Sequence, residues 1–446
     1  MSKEETDKAL SISAAASERA EAPAVIDHGK VISYRELLEL VRQKDKELDD
    51  SVPYHLTASP CLDTIVSVFA LLERKQPILL FHPGLTDYEK RVLAESVAHI
   101  DQKLPEDAAV ILFTSGTTGL PKPAVLTRRA LIASAEASRG NIPLNHDDVW
   151  LLSISPARIG GFSILTRSLA ARSAIALGPK FKVEDYLRTM EEAKITYSSI
   201  VPTMLMKVFD EAPDWRPNPR LKALLVGGAP TSAKLKEEAE KKGIPLIMTY
   251  GMTETASNVV TTPFSLRFHK TEGSGRINPG VELESRDGHI FVRGDMLMSG
   301  YWGRKPLEKG EWFDSGDIGE VGEDGFVRIF ARRTDMIISG GENVYPAEVE
   351  EALERLPSVK NALVLGKPDE TWGSIVTALL VPRDKDQIPK AEDIVKALEP
   401  YLAAYKSPRR IAWVKELPKT SAGKPNRNPA CLDGLMLTAL HYAGKH

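Results

Sequence analysis

Two spacings of apolar positions alternate along most of the chain. Short runs that are almost continuously apolar or β-branched, at residues 109–113, 149–154, 173–177, 197–201 and 223–226, read as strands. Between them, residues 129–139, 183–193, 203–211 and 231–242 carry the three-to-four-residue spacing that predicts amphipathic helices. Residues 221–243 show the unit most clearly: an apolar strand, a Gly-Gly-Ala-Pro turn, then a charged helix. Alternation of this kind predicts an α/β fold of layered, largely parallel strands.

From Gly273 the pattern shortens. Strand-like runs at 275–277, 282–285, 289–293 and 327–330 are separated by turn signals such as Asp287-Gly288 and Asp324-Gly325. They predict a small β subdomain that closes the first large unit. After Arg332-Arg333 come a Gly-Gly turn, a helix over about 346–356, strands near 362–365 and 374–381, and a helix near 391–402. This reads as a separate α+β unit. The expected division is therefore 1–333 for an N-terminal domain and 334–446 for a smaller C-terminal one, which the resemblance described below implies is mobile.

Composition adds three constraints. At 446 residues the chain is too long for one simple core. Its 58 Lys and Arg against 61 Asp and Glu leave a formal charge of −3, so nothing electrostatic points to nucleic acid or an anionic membrane. Only two cysteines occur, Cys61 and Cys431, far apart, which excludes a disulfide framework or a cysteine zinc site and fits a reducing compartment. No apolar run reaches the ~18 residues of a spanning helix, and residues 1–22 lack the features of a secretory signal. The expected location is cytoplasmic.

Candidate chemistry lies in five segments. Thr114-Ser115-Gly116-Thr117-Thr118-Gly119-Leu120-Pro121-Lys122 follows an apolar strand directly. Its glycines let backbone N–H groups converge on an anion, and its hydroxyls and lysine add donors. The spacing is not that of the common P-loop, so a plain flexible connection competes with phosphate binding. In Tyr250-Gly251-Met252-Thr253-Glu254, the tyrosine suits a purine face and the glutamate a magnesium ion; a strand end with an ordinary surface glutamate is the simpler alternative. Asp314-Ser315-Gly316-Asp317 suits a ribose diol or a simple Asx turn. A fourth segment, from Arg332 to Pro346, sets basic residues and a glycine turn at the domain boundary. The fifth, from Pro418 to Arg427, holds Lys424 in a small-residue loop, either a mobile cation for a phosphoryl group or a solvated basic loop.

In this order and spacing the segments resemble the adenylate-forming superfamily of acyl- and aryl-CoA synthetases, luciferases and peptide-synthetase adenylation domains. The resemblance runs from about Ser33 to Arg427. It implies that Thr114, Ser115, Gly116, Thr117, Thr118, Gly119 and Lys122 form a loop over the ATP phosphates. Gly228, Ala229 and Pro230 would border the adenine, with Tyr250 stacked beside it and Gly251 next in the same motif. Thr253 would contact the α-phosphate, Glu254 hold magnesium, and Asp317 and Arg332 hold the ribose hydroxyls. Lys424 would serve the first of two half-reactions, in which a carboxylic acid becomes an acyl-adenylate. Coenzyme A would then take the acyl group after the C-terminal domain rotates and presents Gly340 and Gly341 to the thiol arm. The implied partners are a small carboxylic acid, ATP, magnesium and coenzyme A, with a homodimer as an admissible assembly.

Two positions depart from the family pattern. The hinge residue, usually Asp or Lys, is Thr334, followed by Asp335, so the hinge is assigned to both. An aromatic-His pair found in many relatives is replaced by Ala157-Arg158, before Gly160 and Gly161. Arg158 suits a second carboxylate on the substrate, a CoA phosphate, or plain surface. Residues 161–169 and 332–348 most resemble the o-succinylbenzoate–CoA ligases of menaquinone biosynthesis, whose aromatic dicarboxylate would give Arg158 or Arg167 a partner. Ser257 is a further candidate for the acid or CoA. The competing readings are another acyl- or aryl-CoA ligase for a benzoate-type or medium-chain acid, and an amino-acid adenylation enzyme loading a carrier protein. The latter would want an acidic residue near Gly161.

Overall fold

The computed structural model describes residues 2–114, 121–229, 231–333, 335–339, 342–369, 372–402, 406–420 and 424–440. Strands Pro23–Asp27, Ala174–Leu177, Val149–Leu151, Tyr197–Ile200, Ala223–Val226 and Leu246–Met252 lie side by side in that order, each parallel to its neighbour. The three of these at 174–177, 197–200 and 223–226 are buried throughout, as expected for strands covered by helices on both faces. From Val149–Leu151 the chain passes to 174–177 on one side, then crosses to 197–200 on the other. Such a reversal opens a crevice at the carboxyl ends of the strands, where α/β sheets bind ligands. Residues 152–154, expected as strand, instead leave the sheet at this crevice.

The β-rich segment after Gly273 extends the same sheet. Leu246–Met252 pairs in parallel with 223–226 on one edge and antiparallel with Ser257–Thr261 on the other. Strands Gly275–Ile277, Phe326–Arg332, Phe313–Val321, His289–Arg293 and Glu282–Arg286 follow, and with Lys30–Ser33 beside Pro23–Asp27 at the far edge the sheet has 13 strands among the described residues. The Asp287-Gly288 turn joins the last two with φ of 50° and 79°, the geometry a two-residue hairpin demands. A second, five-stranded sheet includes the hairpin of Ala108–Thr114 and Lys122–Thr127, with the short strand Gly300–Tyr301 on its edge.

The C-terminal portion forms a four-stranded sheet of Val359–Asp369, Gly373–Pro382, Arg410–Trp413 and Thr438–Ala439, with helices Pro346–Glu354 and Ala391–Leu398. Buried residues of the four clusters built on the large sheets all lie at or before Val327. Those of the other two all lie at or after Ile337. The smaller unit rests on helix Pro202–Glu211 through an ion pair between Lys360 Nζ and Asp210 Oδ2 at 2.8 Å, and through Asn361 Nδ2 against Met206 Sδ at 3.2 Å. At the same seam Glu354 is half-buried, and the loss of water around it pushes its carboxyl up to about 7.

Candidate active site

The site grows from the hairpin between Leu246–Met252 and Ser257–Thr261. A Cβ on Gly251 would collide with the Ser257 carbonyl, so only glycine lets the two strands close here. Ala256 and Ser257 take positive φ, and Thr255 Oγ1 braces the turn by donating to Ser257 O at 2.7 Å. This tight corner turns Glu254 inward, where it is only 8% exposed. The surface-glutamate alternative for this segment is therefore wrong. Glu254 Oε1 accepts a 2.6 Å hydrogen bond from the Tyr301 hydroxyl, and the Met298 N–H donates to the Glu254 carbonyl. Tyr301 also lies under Lys122, whose Nζ stands 5.3 Å from the ring centroid. Lys122 pairs across the hairpin with Thr114, which fixes both ends of the connection expected to cover phosphates. Of that connection, Ser115, Gly116, Thr117, Thr118 and Gly119 lie outside the described residues, as do Pro230, Thr334, Gly340 and Gly341.

Tyr250 points to the next cluster. Its hydroxyl donates to Asp317 Oδ2 at 2.6 Å, and Arg332 Nε sits 3.1 Å from Asp317 Oδ1. Asp317 and Arg332 are direct cross-strand partners, which sets this pair by register alone. Burial raises the Asp317 pKa, opposed by the Arg332 charge and the Tyr250 hydrogen bond. The Tyr250 phenol is pushed well up by burial and by the carboxylate beside it. Gly228, with φ of 81°, and Ala229 follow the strand 223–226 at the carboxyl edge of the sheet. Next to Gly228, Gly227 leaves no room for a Cβ beside Thr249.

Lys424 comes from the other unit. Its ammonium pKa is lowered by the surrounding protein and by the charges of Arg332 and Arg158, with Asp317 and Glu254 opposing. Five residues from distant parts of the chain thus share one electrostatic neighbourhood. Arg158 is exposed at the start of helix Ile159–Ala171, where no described carboxylate pairs with it, and its charge also reaches His82. The helix begins against its own approach: a Cβ on Gly161 would collide with the Ser155 carbonyl, and one on Gly160 would press on Ile154.

Deeper on the same helix, Arg167 is 5% exposed and meets no carboxylate among the described residues. Its Nη2 donates to Asn258 Oδ1 at 2.5 Å and its Nε is unpartnered. Asn258 neighbours Ser257, whose hydroxyl lies 3.2 Å from Ser163 Oγ. Burial lowers the Arg167 pKa to about 10. Arg167 also lines a shallow surface depression beside helix Arg128–Arg139. Sequence reasoning missed Tyr301, His82, Ser163 and Asn258. Of these only Tyr301 carried a signal, an aromatic pair after Gly300 within a turn-rich stretch.

Among the described residues no group of three or more His, Cys, Asp or Glu could hold a metal ion alone. Glu254 is a single buried carboxylate, the donor set of a magnesium ion that takes its other ligands from phosphate and water. No described helix is long and apolar enough to cross a membrane.

Residues 57–302 match the AMP-binding enzyme family, and residues 348–424 match the AMP-binding enzyme C-terminal domain. The chain belongs to the AMP-binding enzyme family. Among relatives of the family, a 2-succinylbenzoate–CoA ligase of Listeria monocytogenes serotype 4b (strain F2365) is 37% identical over 349 residues, covering 77% of this chain and 72% of that protein. The o-succinylbenzoate CoA synthetase (MenE) of Bacillus subtilis, solved with the acyl-adenylate intermediate OSB-AMP, superposes with a TM-score of 0.82 at 27% identity. That match covers 93% of this chain and 96% of the other. The same enzyme with ATP and magnesium ion gives 0.81, with 27% identity and coverages of 93% and 98%. A double mutant of it bound with the product analogue OSB-NCoA gives only 0.66, again at 27% identity, with coverages of 93% and 97%. Equal coverage of this chain means the lower score reports a different arrangement, not a shorter match.

Proposed function

We propose that the protein is an AMP-forming acid–thiol ligase that activates o-succinylbenzoate with ATP and passes the acyl group to coenzyme A, a step of menaquinone synthesis. The observation that carries this reading is that the charges of Arg332, Asp317 and Glu254 all act on the Lys424 ammonium. A carboxylate and a phosphate repel each other, so the attacking oxygen reaches the α-phosphorus only where fixed cations absorb the charge that builds. Lys424 supplies one such cation from the C-terminal unit. Asp317 and Arg332 anchor the ribose, Tyr250 and Gly228–Pro230 flank the adenine, and Thr253 donates to the α-phosphate. The 114–122 connection cradles the departing phosphates. Magnesium bound at Glu254 would spread the charge of those phosphates. A carboxylate oxygen bonds to the α-phosphorus as the bond to pyrophosphate breaks. In the second step the thiol sulfur bonds to the acyl carbon and AMP leaves with the electron pair.

The acid is supported by the relatives and by Arg167. A buried guanidinium without a counter-charge is costly, and the second carboxylate of a dicarboxylate, entering past Ser257, Gly160 and Gly161, would neutralise it. Arg158 at the mouth is the second candidate for that contact. The chain divides at 333/334, with Thr334 and Asp335 as the hinge and Gly340–Gly341 facing the thiol. Cytoplasmic placement accords with ATP and coenzyme A as co-substrates. The test is pyrophosphate and AMP release with ATP, magnesium, coenzyme A and a panel of acids. The highest kcat/KM is expected for o-succinylbenzoate. Silence with every dicarboxylate but turnover of a benzoate-type acid would move the substrate and leave the reaction.

A further inference from the structure

A lysine that must reach one phosphorus needs its loop aimed. Beside Lys424 the two flanking arms of the chain are bonded together: the Thr420 N–H donates to the Lys424 carbonyl at 2.8 Å, and the Asn426 N–H donates to the Pro418 carbonyl at 3.0 Å. Lys419 and Pro425 form an isolated antiparallel bridge. These bonds join the two arms to each other. A further tie is three residues on. The Arg427 side chain enters the C-terminal unit, where both its terminal nitrogens bond Glu350, Nη2 to Oε2 at 3.0 Å and Nη1 to Oε1. Nη1 also donates to the Val364 carbonyl at 2.6 Å, while Glu350 Oε1 accepts the Val364 N–H at 2.7 Å. The two side chains are 14% and 13% exposed. On its remaining side, Arg427 Nε stands 3.9 Å from Asp335 Oδ2, and the Asp335 N–H donates to the Arg332 carbonyl at 2.9 Å. A continuous path thus runs from Arg332, beside the nucleotide candidates, through Asp335 and Arg427 to the lysine segment.

We infer that Arg427, clamped by Glu350 and Asp335, is a positioning residue that aims Lys424 at the reacting phosphate in the first half-reaction. The inference rests on the proposed role of Lys424. A guanidinium held by two parallel hydrogen bonds is fixed in direction as well as distance, which a point charge is not. Glu350 and Arg427 belong to one packed unit and travel together, so their contact sets the lysine segment on that unit. Asp335 lies at the proposed hinge, so its contact with Arg427 belongs to the arrangement in which Lys424 faces the nucleotide.

The test separates the half-reactions in Arg427→Lys, which keeps the charge and loses the fork, and in Glu350→Gln. Adenylation is read as pyrophosphate release without coenzyme A, and thiolation as CoA ester formation from supplied acyl-adenylate. Adenylation is expected to fall about 100-fold, the cost of misplacing a reacting group by about 1 Å, with thiolation nearly unchanged. Retained thiolation also shows that the C-terminal unit is still folded. Equal losses in both steps, or no loss in either, would overturn the inference. Lys424→Ala run alongside assigns the failure. A split in Lys424→Ala without one in Arg427→Lys overturns the clamp alone, and no split in Lys424→Ala overturns the lysine's role and the clamp with it.

Discussion

The two halves of the site are built differently. On the sheet side, Asp317 and Arg332 are neighbours by strand register, 3.1 Å apart, and the Tyr250 hydroxyl holds Asp317 at 2.6 Å. On the lid side, Lys424 rides on a segment whose position depends on how the smaller unit is seated. A group fixed by register can be present in every state of the enzyme. One carried on a separately packed unit can be present in one step and withdrawn in the next. Under the proposed function, the difference would let one site serve two chemically distinct steps.

The comparison breaks first at the lysine. Lys424→Ala should cut adenylation by about 10³-fold, the scale of one preorganised charge in a transition state, and leave thiolation of supplied acyl-adenylate nearly intact; rapid-quench measurement of each half-reaction checks this. Next in size is Arg167→Met. The kcat/KM for o-succinylbenzoate should fall about 100-fold, as for a truncated buried charge pair, while a benzoate-type acid is hardly affected. Since an isolated buried charge is removed, the melting temperature should hold or rise, which separates a binding role from a structural one.

On the sheet side the expected effects are smaller. Tyr250→Phe removes one hydrogen bond to a carboxylate, so the KM for ATP should rise roughly tenfold with kcat little changed; steady-state kinetics at saturating acid measures it. The smallest effect is in the pH profile. Because the Lys424 pKa lies below the usual 10.5, its positive charge is fully present at low pH and is lost as pH rises through the depressed value. The adenylation rate should therefore decline on the alkaline side before an ordinary lysine would titrate. Lys424→Arg should remove that decline.

What could be read from the chain alone divides along the same line. Strand 223–226 and the hairpin at Asp287-Gly288 follow from local pattern and turn chemistry, and the structure has them where that pattern puts them. Tyr250, Glu254 and Asp317 stand out because their types match a chemistry. Their pairings do not, because hydrogen-bond partners are chosen by register between distant strands. Tyr301 reaches Glu254 across 47 positions through an edge strand two residues long, too short to leave a pattern. The burial of Glu254 depends on a tight corner that glycine at 251 permits. Arg167 looks like any helical arginine until helix 159–171 packs it beside Asn258.

The most direct test of the central claim is a single-turnover reaction with ATP, magnesium and o-succinylbenzoate in the absence of coenzyme A. The account predicts pyrophosphate release and an o-succinylbenzoyl-adenylate that persists until coenzyme A is added, then AMP and the CoA ester. Formation of ADP and phosphate, or no phosphate product until coenzyme A is present, would contradict it.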